Sequence, residues 1–182
     1  MILIATVGGI ITLVGWGLSD YFIGLAGRKV NPYLLNVVVQ SMGTLVLLPV
    51  LLFFGLPLPI HESLYDVALI SALFTIGFVS AIKAFSIGPF GVTTPIANGY
   101  PLITIITTAI FLGLALSTFT LFALLTIVLG VLMLSIDRTT LIRQAFRGSA
   151  VYFAIVAMLF WGVGFTFYET IINLFLTPIY SR

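Results

Sequence analysis

Six apolar stretches of bilayer-crossing length, separated by short connectors, decide most of what this chain can become. A helix needs about 20 mostly apolar residues to cross a hydrocarbon core about 30 Å thick. The first stretch begins at Met1, passes Trp16 and ends at Arg28-Lys29; the second follows Asn31-Pro32 and runs to Phe54. The third extends from about Asp66 to Ile87, the fourth from about Gly91 to Leu116, the fifth from Phe119 to Ile136 and the sixth from about Ser149 to Leu176. The breaks between them have chemical causes. Pro32 suits the first turn of a helix, whereas Gly55-Leu56-Pro57-Leu58-Pro59 and Gly88-Pro89 end one. In hydrocarbon every backbone N–H and C=O must be satisfied within the structure, which leaves only helices and closed barrels, and continuous apolar runs select helices. The expected fold is therefore all-α, a polytopic helical membrane protein of about six transmembrane helices.

Charge supports that reading and narrows the function. Only 7% of the residues are charged and 61% are hydrophobic, where a soluble domain carries roughly a quarter charged residues. The mean hydropathy is +1.29. The formal net charge of +2 comes from a few connector residues, so it speaks to orientation in the membrane and not to nucleic-acid binding. Cysteine is absent, and the single histidine, His61, stands beside Glu62 in a polar connector. A hydrolase would need a nucleophile with its base, or a metal cluster; neither is on offer, and no catalytic residue, metal site or cofactor is expected. No Gly-Lys-Ser/Thr phosphate loop appears either, so direct drive by ATP is not expected.

The first stretch is too long for a signal-peptide core and lacks a convincing cleavage site, so it reads as a retained span. If the chain crosses six times, Arg28, Lys29, Arg138, Arg143 and Arg147 fall on one face, and His61, Glu62, Asp66 and Arg182 on the other. Basic connectors favour the cytoplasm. The expectation is a multi-pass protein of the cell membrane with its N-terminus outside and the basic connector 137–148 cytoplasmic.

An internal repeat is visible. Gly15-Trp16-Gly17 in the first span is answered by Trp161-Gly162-Val163-Gly164 in the sixth. Five spans separate one start from the next, and an odd-numbered repeat must insert upside down relative to its predecessor, as in inverted-repeat transporters. The division that follows is a five-helix repeat over 1–136, the connector 137–148, and the first helix of an incomplete second repeat over 149–182.

Three segments carry a resemblance that covers essentially the whole chain: Gly15-Trp16-Gly17-Leu18-Ser19-Asp20-Tyr21-Phe22, Ala81-Ile82-Lys83-Ala84-Phe85-Ser86-Ile87-Gly88-Pro89, and Thr94-Pro95-Ile96-Ala97-Asn98-Gly99-Tyr100-Pro101-Leu102. Together they resemble the EamA-like branch of the drug/metabolite transporter superfamily, whose members typically have two five-helix repeats. The resemblance implies a transporter of small metabolites or drug-like solutes working by alternating access. Two departures stand out. Members commonly carry a glutamate where this chain has Leu114, and here the second repeat stops after one helix. A homodimer or a second membrane chain is then expected to complete the pathway, and a non-transporting subunit is the alternative.

Polar groups inside the apolar spans are the candidate solute contacts. A charge within the hydrocarbon costs about 2.5 to 3.5 kcal/mol on insertion scales, so each needs a partner or a task. Asp20 and Lys83 lie near the ends of spans heading for the same face and are expected at similar depth, either as a structural ion pair or with the lysine snorkelling to the interface, or else as a cytoplasmic gate or part of the solute site. Glu169 shares a helix face with Trp161 and Phe165 by four-residue spacing, placing a carboxylate in an aromatic setting suited to a cation or an exchangeable proton. The fourth span holds Pro95, Asn98, Gly99 and Pro101, which remove backbone donors and loosen the helix. Such a break either is a simple kink or lines a cavity, and in the latter case Asn98 and Tyr100 touch the solute. Trp16, one turn from Asp20, belongs to the same candidate set.

Overall fold

The computed structural model describes residues 2–54, 64–113, 115–135 and 148–180, with side chains described as far as residue 168. His61, Glu62, Leu114 and Arg182, and the basic connector with Arg138, Arg143 and Arg147, lie outside the described residues. What is described is all helical. The elements are α1 (Ile2–Gly27), α2 (Pro32–Phe53), α3 (Leu64–Ile87), α4 (Phe90–Ala97), α5 (Tyr100–Leu112), α6 (Thr118–Ser135) and α7 (Ser149–Tyr180). Helices α4 and α5 form one interrupted span, Phe90–Leu112. Five spans are long and apolar enough to cross a bilayer, and α6 supplies a shorter apolar helix.

The boundaries follow local chemistry. Asn31 caps α2, its side chain accepting from the Tyr33 N–H at 2.9 Å, with Pro32 next in the first turn. Ser117 Oγ accepts from the Thr120 N–H at 3.1 Å at the start of α6. The fourth span ends at Leu112, short of the expected Leu116, because Gly113 turns left-handed at φ 64°, a conformation glycine adopts without a Cβ penalty. Along the spans, Thr12, Thr44 and Thr126 return their hydroxyls to the carbonyls of Gly8, Gln40 and Phe122 at 2.9 Å. That is how a hydroxyl meets its hydrogen-bonding need without water.

Helix α7 is the centre of the molecule. It packs along α3 most extensively, then against α5 and α4, while α1 and α2 lean on α3 from outside. Its buried face is built of small residues, Ala150, Ala154 and Ala157, followed by Trp161. Small residues let membrane helices approach closely where no hydrophobic drive holds them together. A Cβ placed on Gly77 of α3 would run into the Trp161 ring, and one on Gly162 into Ile103 and the Tyr100 carbonyl of α5. The α5–α7 seam is also polar: Thr104 Oγ1 donates to the Gly162 carbonyl at 3.1 Å, and the hydroxyls of Thr107 and Thr166 are hydrogen-bonded to each other. Around this seam gather Ala81, Ala84, Phe85 and Ala97, with Phe74, Phe78, Phe90 and Phe165 packed on them.

Candidate functional site

Helix α4 stops at Ala97 because its continuation cannot keep the ladder. Pro95 and Pro101 lack the N–H groups that would bond to the carbonyls of residues 91 and 97; Asn98 N–H still makes the last helical bond, to the Thr94 carbonyl at 2.9 Å, and Gly99 N–H tightens to the Ile96 carbonyl at 3.1 Å. The close approach of Met158 to Gly99, whose Cβ would stand 3.2 Å from its sulfur, holds the break against α7. The interruption therefore aims Asn98 and Tyr100 at the neighbouring span instead of continuing a smooth helix.

That neighbour is α1. Asn98 Nδ2 donates to Asp20 Oδ2 at 2.8 Å. Around it Gly9, Thr12, Leu13, Trp16, Gly17, Thr94, Tyr100 and Pro101 complete a groove of about 570 Å³, within the size range of small-molecule pockets. Its lining is apolar and aromatic with a few convergent polar groups. Among them Thr94 Oγ1 is buried without a hydrogen-bond partner. The groove is open along α1: a side chain added at Gly9, Gly15 or Gly17 would meet nothing within 4 Å, and Trp16 is 42% exposed.

Of the residues expected at a solute site, Trp16, Asp20, Asn98 and Tyr100 meet in this groove, and Pro95, Gly99 and Pro101 make the break that brings them there. Trp161 does not line it. Buried to 3% exposure in the core, it stands behind the groove, its ring 6.5 Å from Trp16 and 5.9 Å from Tyr100 between centroids; the tryptophans of the two repeated segments thus face each other. Its Nε1 has no partner. Phe165 stacks on Tyr100 at 4.9 Å and 19°, which fixes the tyrosine ring from the α7 side. Glu169 falls in α7, but its side chain lies outside the described residues.

The ion pair expected between Asp20 and Lys83 does not form. Asp20 takes its hydrogen bond from Asn98, and Lys83 is turned around α3 toward α2 and α7, its Nζ 4.4 Å from the Phe153 ring centroid and 5.9 Å from that of Tyr33. The two side chains face different neighbours, because Ala81, Ala84 and Phe85 claim the core side of α3. Ring faces return about 0.5 to 2 kcal/mol to such a cation. Thr94 and Thr12 are the groove residues that sequence reasoning missed. Threonine is common in apolar helices and bonds to its own backbone, so nothing in the sequence separates the two that face the groove from the rest.

The sequence model of the EamA-like transporter family matches residues 3–136. No curated protein and no solved structure shows significant similarity to the chain.

Proposed function

The chain belongs to the EamA-like transporter family, and on that premise we propose that it moves a small metabolite or drug-like solute through the groove between α1 and the α4–α5 break by alternating access. The observation that carries this reading is the Asp20–Asn98 hydrogen bond at a broken helix. A carboxylate held at the end of an interrupted span, among Trp16 and Tyr100, suits a solute with a positively charged group, or a proton exchanged for it. Asn98 orients the carboxylate without neutralising it. The basic residues of the connectors favour a cytoplasmic placement for Arg28, Lys29 and the connector 137–148, with the N-terminus outside, so that the α4 end of the span faces the cytoplasm.

The open side of the groove favours a second component. Among the described residues, α1 and the α4–α5 span wall it, and the exposed Trp16 face is where another copy of the chain, or a second membrane protein, would close the pathway. If such a partner supplies the moving half, the chain acts as a subunit and not as a transporter by itself.

The test is solute flux into proteoliposomes across a panel of organic cations, zwitterions and neutral metabolites, comparing the natural chain with Asp20→Asn. Asparagine keeps the size and a hydrogen bond to Asn98 but removes the charge. Flux of the preferred solute is expected to fall at least about tenfold, the equivalent of about 1.4 kcal/mol. Undiminished flux in folded Asp20→Asn, or flux that never exceeds that of empty vesicles for the natural protein, would remove the carboxylate or the transport reading respectively.

A further inference from the structure

Among the described side chains, Lys83 is an embedded charge that the groove does not use. It projects from α3 between Tyr33 in the first turn of α2 and Phe153 in the second turn of α7, half-buried, with the two rings as its contacts and no carboxylate within 4 Å among the described residues. Helix α3 has 24 residues, about 36 Å at 1.5 Å per residue, so a centred helix exceeds a hydrocarbon core of about 30 Å by roughly 3 Å at each end. Lys83 sits one turn, about 6 Å, before Ile87. Its ammonium is therefore close to the boundary between acyl chains and headgroups. Arg28, whose Nη2 donates to the Gly88 carbonyl at 3.4 Å, and the exposed Lys29 stand at the same end of the bundle. Exposed Tyr152 stands beside Phe153 with its ring 5.6 Å away. The two rings offer the ammonium their faces and no anionic partner, and the Asn36 amide oxygen on α2, one turn beyond Tyr33, is buried without a hydrogen-bond partner.

We propose that the surface around Lys83, flanked by Tyr33 of α2 and Phe153 of α7, is a specific site for an anionic phospholipid, whose phosphodiester pairs with the ammonium while its acyl chains lie along the apolar faces of the two helices. The chemistry required is a singly charged phosphate oxygen at interfacial depth attached to hydrocarbon. A soluble phosphate has the charge but gains nothing from the helix faces, and a zwitterionic lipid brings its own cation to compete with Lys83. This site is separate from the solute groove and does not depend on it.

Native mass spectrometry of the intact detergent-solubilised chain, titrated with phosphatidylglycerol or phosphatidylcholine, tests the assignment. One phosphatidylglycerol should be retained about tenfold more readily than phosphatidylcholine. Lys83→Gln should abolish the preference, Lys83→Arg should keep it, and Lys29→Gln should leave it unchanged. Equal retention of the two lipids overturns the proposal, as does equal loss in Lys29→Gln and Lys83→Gln, which would reflect general charge attraction. Displacement of phosphatidylglycerol by millimolar inorganic phosphate would likewise overturn a lipid site in favour of a soluble anion. Where Lys83→Gln does not fold, Phe153→Leu serves in its place: it removes the ring beneath the ammonium and should weaken the preference, and a preference undiminished in that variant overturns the assignment.

Discussion

Asn98 commits its Nδ2 donor to Asp20. Asn98→Leu, close in volume, takes that donor away and leaves a carboxylate in the groove without a protein partner. A loss of about 1 to 3 kcal/mol is expected for a group stripped of its hydrogen bond in a buried setting, read as a lower unfolding temperature in detergent together with weaker solute flux. Lowered flux with unchanged thermal stability would mean that Asn98 serves the solute and not the carboxylate. At this scale the sequence was informative about which residues matter, because an aspartate or an asparagine in an apolar span is costly and therefore stands out. It was silent about which residue each one meets. Asp20 and Asn98 are 78 positions apart, and the rotation of each helix about its axis, which turned Lys83 away from Asp20, is fixed by the packing of its other faces.

Among the elements, α7 has a role that hydropathy alone hides. All six spans are similarly apolar, yet α7 is the one the others are built around, and the small residues on its face, with Gly77 and Gly162 at the points of closest approach, are the reason. Gly162→Val would drive a branched side chain into Ile103 and the Tyr100 carbonyl. Overpacking of this kind costs about 1 to 3 kcal/mol, so the variant should melt earlier and expose its helices sooner to limited proteolysis, whereas Gly15→Val, on the open side of α1, should be neutral in both assays. Equal effects of the two would mean that α7 is not docked as described. The helix limits were legible from proline, glycine and capping residues, and the interrupted fourth span from Pro95 and Pro101. The central place of α7 was not, since the four-residue recurrence of Ala150, Ala154 and the neighbouring Ala157 marks a packing face without naming its partner.

As a whole, the molecule presents a finished interior around α7 and an unfinished one along α1. A groove walled by α1 and the α4–α5 span, opening past exposed Trp16, is expected to be closed by another protein surface under working conditions. Light scattering of the purified protein, corrected for bound detergent, should return more than one chain's 19.7 kDa of protein mass; a strictly monomeric particle that nevertheless transports would show that lipid alone forms the missing wall. The paired tryptophans give this seam a further property. The chain has two indoles in all, and they lie 6.5 Å apart, one bordering the groove and the other directly behind it. Nearly the whole ultraviolet emission of the protein therefore originates at one spot, and neighbouring chromophores at that separation couple their excited states. A solute entering the groove, or a helix α1 drawn aside to release it, would alter quenching and the near-ultraviolet circular dichroism together, so the chain carries its own optical gauge of occupancy and needs no attached dye.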